Sequence, residues 1–407
     1  MCTLSYNKLY INFQKFASVF CNSTEKLCFF YRDFSIKTQC KFSIGKLRYI
    51  WYNNINNVNG DEIMKRIAIG LSGGVDSAAA AHILLQKGYD VTGIILRLKP
   101  ENAADGDISD AKKIADKLGI DLRVLDLRER FSETVISSFI SEYLAGRTPN
   151  PCIECNSLIK FGAMLDYALE IGCDGIATGH YARIEKTADR YLLKRSATAK
   201  DQSYFLYKLT QNQLSKILFP LDGLEKEAIR QTALDAGLPV AQKRDSQEIC
   251  FVPNDDYISF LSAKGITSPE GDFTDKDGNI LGRHSGIINY TVGQRKGLGA
   301  FGKPMFVNSI CAENNTVIIG ENGTQYCKGL IADGMNYIAF EKPEAPFRAE
   351  VKIRFRAKEQ PALITPLENG KAEIIFDEPQ RSITPGQGAV IYDGDTVIGG
   401  GRIIEQI

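Results

Sequence analysis

The stretch that most constrains the fold is Gly70-Leu71-Ser72-Gly73-Gly74-Val75-Asp76-Ser77. It follows an apolar strand-like run over 66–71 and opens a helical pattern from Asp76 to Lys87, which Gly88 ends as a C-terminal cap. Glycines at such a turn let backbone amides converge without Cβ clashes, which makes an anion-binding nest. A helix starting there adds its positive end, and Ser72 and Ser77 add hydroxyl donors. No Gly-Lys-Ser/Thr ending is present, so this is not a Walker A loop, and the glycine spacing is not that of a dinucleotide fold. The loop therefore reads as a polyphosphate cradle. Asp76 is a candidate Mg²⁺ ligand, because magnesium beside phosphates takes carboxylate oxygens.

The pattern after this turn alternates. Strands are expected over 91–98, 122–127 and 175–178, and helices over 107–118, 131–145 and 157–171. Strands alternating with helices of this length predict a parallel, doubly wound α/β sheet, whose ligands sit at the carboxyl ends of the strands. From about Tyr257 the helices give way to short strands and turns. Strand runs fit 287–292, 305–310, 316–320, 347–356, 372–376 and 388–392, with hairpin turns at Asp275-Lys276-Asp277-Gly278-Asn279 and Asp393-Gly394-Asp395. Evenly spaced short strands predict a closed barrel at the end. Arg354, Phe355 and Arg356 fall within one of those runs. On a strand the two arginines would share a face opposite Phe355.

The Ser-Gly-Gly-x-Asp-Ser pattern resembles the PP-loop of the ATP pyrophosphatase superfamily. That resemblance implies ATP cleaved to AMP and pyrophosphate, with the AMP activating an oxygen. Five further strings narrow it: Thr148-Pro149-Asn150-Pro151-Cys152-Ile153-Glu154-Cys155-Asn156, Ala177-Thr178-Gly179-His180-Tyr181-Ala182-Arg183, Lys200-Asp201-Gln202-Ser203-Tyr204-Phe205-Leu206, Asp245-Ser246-Gln247-Glu248-Ile249-Cys250-Phe251 and Tyr290-Thr291-Val292-Gly293-Gln294-Arg295-Lys296-Gly297-Leu298-Gly299. From Met64 to Ile407 the chain closely resembles the tRNA-specific 2-thiouridylase family, which thiolates the wobble uridine.

The resemblance implies a PP-loop (adenine nucleotide alpha hydrolase-like) domain over 64–255, a small central tRNA-interaction domain over 256–325 and a C-terminal β-barrel over 326–407. It implies that Cys250 carries a persulfide and Cys155 is the nucleophile, and that the two end as a transient disulfide. Gly70 through Ser77, Leu96 and Gly179 would meet ATP. Asn150-Pro151-Cys152, Lys200-Asp201-Gln202 and Arg354-Phe355 would meet tRNA. The expected partners are the Lys, Glu and Gln tRNAs and a cysteine desulfurase or its relay proteins.

The chemistry is consistent with the residue types. Replacing the C2 oxygen of uracil with sulfur needs that oxygen turned into a leaving group, which adenylation does. It also needs a sulfur nucleophile, and a second thiol that closes a disulfide as the sulfur is released. A reactive thiolate needs a depressed pKa. Cys155 lies just before the expected helix over 157–171, and Lys160 one turn in is a candidate positive neighbour. The two prolines at 149 and 151 predict a rigid loop there. Cys152 stands where many relatives have Asp. It reads as a bystander, as a backup resolving thiol, or, with Cys155 and Cys250, as a ligand of an iron–sulfur cluster. His180 is expected to serve structure. Arg295 and Lys296 on a glycine-rich loop are candidate phosphate contacts.

Rival readings are another PP-loop enzyme (a 4-thiouridine synthase, an amide-forming synthetase or argininosuccinate synthase) and a non-catalytic tRNA-binding sulfur carrier. Composition removes other classes. Three histidines in 407 residues leave little for zinc or His-based catalysis, ten cysteines are too dilute for a disulfide scaffold, and no apolar run approaches membrane-spanning length.

Residues 1–63 differ from the rest. They hold 13 aromatics and four cysteines and carry a net +4, which leaves −4 for residues 64–407, so tRNA binding needs a concentrated basic face. Three readings stand for this segment: an upstream start assignment with Met64 the true beginning, a transit peptide, or a poorly ordered or partner-binding extension. A transit peptide would place the enzyme in the mitochondrial matrix, and otherwise it is expected in the cytoplasm.

Overall fold

The structure, a computed structural model, describes residues 64–99, 101–241, 243 and 249–407. The readings placed on residues 1–63 and on 245–248 lie outside these residues.

The first layer is a five-stranded parallel sheet in the order β3-β2-β1-β4-β7. Its strands are β1 (Arg66–Gly70), β2 (Asp90–Arg97), β3 (Leu122–Asp126), β4 (Gly175–Ala177) and β7 (Ile217–Leu218). β1 lies between β2 and β4, so Ile67, Ala68 and Ile69 are fully buried from both faces. Helix α1 (Val75–Gln86) packs four consecutive buried alanines, Ala78 to Ala81, close to the sheet. Helix α2 (Glu101–Leu118) starts earlier than the expected 107.

The helix expected over 131–145 begins at Arg128 and runs through a widened turn, Ser132–Ile136, into α3 (Ser137–Leu144). The helix expected over 157–171 also starts early. It begins at Pro151, whose fixed φ suits the first helical position, and a wide-turned segment Cys155–Ala163 carries it into Met164–Glu170. The expected rigid loop thus ends at Asn150, and Cys152 and Cys155 are helical.

A second sheet, in the order β10-β11-β8-β9, forms the middle of the chain. It comprises β8 (Gly271–Thr274), β9 (Ile280–His284), β10 (Met305–Cys311) and β11 (Thr316–Glu321). The turn at 275–279 joins β8 to β9 as expected. The strand expected over 287–292 does not form. Ile287–Asn289 is a short 3₁₀ turn, because Ile287, Ile288 and Tyr290 all point into the core rather than alternating.

The last six strands close into a barrel: β12 (Tyr326–Tyr337), β13 (Phe347–Lys352), β14 (Gln360–Pro366), β15 (Ala372–Arg381), β16 (Gly388–Asp393) and β17 (Thr396–Gln406). Antiparallel pairing of β12 with both β15 and β17 completes the ring. Two further strands join it from the first half of the chain. The hairpin β5 (Ala182–Lys186) and β6 (Tyr191–Arg195) pairs through β6 with β17. Sheet domain and barrel therefore share backbone hydrogen bonds.

The strand expected over 347–356 stops at Lys352. Arg354, Phe355 and Arg356 lie in a turn closed by Ala357 N–H donating to Arg354 C=O at 3.0 Å, so they do not alternate along a strand.

One carboxylate ties these parts together. Glu142 on α3, with 5% of its side chain exposed, accepts from Arg147 at both oxygens (2.7 Å each) and from Arg402 on β17 at 3.0 Å. The segment after Arg147 is held on the same side of the barrel. Thr148 N–H donates to Pro385 C=O at 2.8 Å, and Gln387 Nε2 donates to Thr148 C=O at 2.8 Å. Removing one partner of a buried charge pair leaves the others uncompensated. Glu142→Gln should cost about 1–3 kcal/mol in urea unfolding, below the fully buried value because both arginines are about one-third exposed. An unchanged midpoint would contradict this.

Candidate active site

The phosphate loop is built as its sequence requires. Gly73 takes φ +70°, a left-handed conformation, and a Cβ there would sit 3.0 Å from Asp107 C=O. Ser77 Oγ donates to Gly74 C=O at 3.0 Å, accepts from Ser72 N–H at 3.2 Å and lies 3.2 Å from Ser72 Oγ. The Gly74 backbone that precedes α1 has no side-chain cap, so the first amides of that helix have no capping side chain. Gly179 follows β4 and lies against this helix start. A Cβ there would be 2.9 Å from Asp76 C and Ser77 N, so a side chain would push into the loop. Leu96 sits near the end of β2, half-buried.

Two lysines distant in sequence complete the loop's surroundings, and sequence reading missed both. Lys226, 7% exposed at the start of helix Lys226–Asp235, donates to Asp76 Oδ1 at 2.6 Å, and the Tyr181 hydroxyl donates to the same oxygen at 2.9 Å. Lys243 Nζ donates to Gly73 C=O at 3.1 Å and pairs with Asp110 at 3.0 Å. Among lysines spread through a charged sequence, only tertiary contact singles these out.

The three site cysteines are free thiols with different surroundings. Cys155 is buried in an apolar cluster with Phe131, Val135 and Ile159. Burial pushes its thiol up to about 12, while the Lys160 ammonium pulls the other way. The expected depressed pKa is therefore not found. Cys155 lies inside the helix that starts at Pro151, not ahead of its first turn, and desolvation outweighs the cation. Cys152 and Cys250 reach solvent but sit in concave surface whose walls displace water, and both thiols are likewise raised, with Lys160 opposing. Lys99 also favours the Cys250 thiolate.

Mutual electrostatic influence links Cys250 to Cys152 and Cys155. Phe251 anchors the Cys250 segment, with edge contacts to Phe131 at 5.5 Å and Phe139 at 5.2 Å. Among the described residues no three His, Cys, Asp or Glu side chains converge to hold a metal. The cluster reading of the three cysteines does not fit, because Cys155 turns into apolar packing while Cys152 faces outward.

Beside the thiols lies an open crevice of about 320 Å³, lined by Asn150, Cys152, Phe205, Ile249, Arg354, Phe355, Arg356 and Gln387. That volume is at the lower end of the ~300–1,000 Å³ typical of small-ligand sites. Asn150, Cys152, Arg354 and Phe355, which the sequence singles out from opposite ends of the chain, share this one crevice. Phe205 and Phe355 form an aromatic wall with ring centroids 4.5 Å apart, and Lys352 Nζ lies 5.7 Å from the Phe355 ring. Asn156, 2% exposed, donates from Nδ2 to Phe205 C=O at 3.2 Å and so links the thiol helix to that wall.

Other expected contacts are turned inward. Asp201 accepts from Ser196 N–H, Ser203 N–H and Ser203 Oγ, and Gln202 exchanges hydrogen bonds with the Tyr181 backbone. Lys200 is exposed. Pro151 is buried at the helix start. His180 is held by Thr178 Oγ1 at 2.7 Å between the Phe161 and Phe219 rings, and burial keeps it neutral. Arg295 and Lys296 are exposed on the turn after Gly293.

Comparison with known proteins agrees with this geometry. The tRNA methyl transferase HUP domain model matches residues 65–254, the tRNA methyl transferase PRC-barrel domain model 258–321 and the aminomethyltransferase beta-barrel domain model 327–403. The tRNA-specific 2-thiouridylase MnmA of Acetivibrio thermocellus is 50% identical over 357 residues, which cover 83% of this chain and 99% of the relative. The chain belongs to the tRNA-specific 2-thiouridylase family. The Clostridioides difficile member is 49% identical over 355 residues, covering 83% of this chain and 98% of its own. The U34-tRNA thiolase NcsA from Methanococcus maripaludis, solved with its [4Fe-4S] cluster, matches at TM-score 0.32 and 18% identity over 54% of this chain and 73% of that chain, too weakly to carry an argument. Among the described residues no helix is long and apolar enough to cross a membrane.

The raised thiol of Cys155 sets a pH dependence. In the free protein its alkylation by iodoacetamide should keep climbing from pH 8 through pH 10, because the thiolate fraction is still rising there. Lys160→Gln should slow it throughout that range, since the opposing cation is gone. A plateau below pH 9, read by peptide mass spectrometry, would contradict this.

Proposed function

We propose that this protein uses ATP to replace the C2 oxygen of the wobble uridine of tRNA with sulfur. The observation that carries the proposal is the shared crevice. An aromatic wall, two arginines and Cys152 surround a space of ligand size, and the thiol helix forms one side of it. A base within an anticodon stack cannot reach buried chemistry, so it must be splayed out and stacked on aromatic rings. Phe355 and Phe205 supply that surface, and Arg354 and Arg356 supply cations for the flanking phosphates.

The PP-loop amides and the start of α1 hold the triphosphate, with magnesium arriving on the nucleotide. The uridine C2 oxygen attacks the α-phosphorus, and pyrophosphate leaves. The terminal sulfur of a Cys250 persulfide then bonds to C2, and the C2–O bond breaks as AMP departs. The Cys155 thiolate attacks the Cys250 Sγ. The S–S bond to the transferred sulfur breaks, its electron pair becomes the thiocarbonyl, and a Cys155–Cys250 disulfide remains for an external thiol to reduce.

Water reaching the adenylate would return it to uridine, so the open crevice must be covered by the bound tRNA during the reaction. The Cys250 persulfide is refilled by a cysteine desulfurase or a relay protein. The paired thiols beside a pyrophosphatase loop favour sulfur transfer over the methyl transfer in the domain descriptions, and the loop itself disfavours a passive sulfur carrier.

Cys155→Ser and Cys250→Ser should each abolish 2-thiouridine formation and leave ATP binding intact. Full activity in either variant would refute its assigned role. Phe355→Ala should lower thiolation about tenfold through the KM for tRNA, in line with the ~1–3 kcal/mol of one stacked base. An unchanged KM would remove the aromatic wall from base recognition.

A further inference from the structure

The PP-loop carries a charge that works against its ligand. Asp76 is the second residue of α1, so its carboxylate stands at the mouth of the anion nest, where it would repel a polyphosphate. The structure answers that charge from elsewhere in the chain. Lys226, 150 positions away, is 7% exposed and donates to Asp76 Oδ1 at 2.6 Å, and the Tyr181 hydroxyl donates to the same oxygen at 2.9 Å. Burying an ammonium is costly, and in a fold it is tolerated where a carboxylate meets it at close range. Both donors converge on Oδ1. A Cβ at Gly179 would lie 2.9 Å from the Asp76 and Ser77 backbone, so only glycine fits beside this start of the helix.

We infer that Lys226 is a positioning residue of the nucleotide site. It neutralises Asp76 so that the loop presents net positive potential to the triphosphate, and it holds Oδ1 so that only the other carboxylate oxygen faces magnesium. This rests on the nucleotide reading of the loop and adds a residue that no local motif contains. The pair is a charge-compensating unit. Loss of Lys226 alone should hurt binding, and loss of both charges should hurt it much less.

The test is calorimetric titration of ATP into the full chain in EDTA, which separates electrostatics from magnesium coordination. Lys226→Gln should weaken ATP binding about tenfold or more, because it leaves the Asp76 charge at the anion site without its cation. Lys226→Arg keeps the charge and should stay within about threefold of wild type. The double variant Asp76→Asn/Lys226→Gln should recover most of the lost affinity, a reversal that a purely structural role would not produce. Asp76→Asn alone should bind metal-free ATP at least as tightly as wild type, and it decides the matter if Lys226→Gln fails to fold. Unchanged binding in Lys226→Gln, a double variant no better than the single one, or weakened binding in Asp76→Asn would overturn the inference. A wild-type chain that binds no ATP would instead refute the nucleotide reading itself.

Discussion

The Glu142 carboxylate, shared between Arg147 and Arg402, is the contact on which the geometry of the site depends. It joins the helix before the thiol segment to the last strand of the barrel. Between them runs Thr148, whose N–H donates to Pro385 C=O and whose C=O accepts from the Gln387 side chain. The cysteine helix begins shortly after, at Pro151. The barrel forms part of the support for the thiols and contributes the turn carrying Arg354 and Phe355 to the same crevice.

The electrostatics follow from where water can reach. Lys160 acts on Cys152, Cys155 and Cys250 together, yet all three thiols are raised, since burial outweighs one cation. A resting enzyme with protonated thiols is protected from oxidation and alkylation. Its nucleophiles then depend on the reaction itself, because an electrophilic persulfide sulfur needs only a small thiolate fraction held at close range.

Legibility in the sequence followed the range of each interaction. The phosphate loop was readable because its chemistry is local: glycine at a left-handed position, hydroxyls at fixed spacing and a helix start. The parallel sheet was readable because its helices and strands alternate with clear periods. Three things were not. The Arg354-Phe355-Arg356 segment has a strand's alternation, but a local turn bond takes it out of the ladder and Phe355 packs at a tilt against Phe205. The thiol environment around Cys155 is set by Phe131, Val135 and Ile159, which no cysteine motif includes. Lys226 and Asp76 meet only because the sheet brings their two helices side by side. The resemblance to a known family pointed to Cys155 and Cys250 as candidates, but not to the carboxylate clamp or the buried lysine.

On this proposal the crevice receives a uridine whose C2 oxygen is exchanged for sulfur. Mass spectrometry of nucleosides from unmodified tRNA, incubated with the protein, ATP, magnesium and a persulfide source, tests it most directly. The expected product is 2-thiouridine at the wobble position, formed only with ATP. Appearance of 4-thiouridine instead, or no thiolated nucleoside from protein shown to bind both ATP and tRNA, would contradict it.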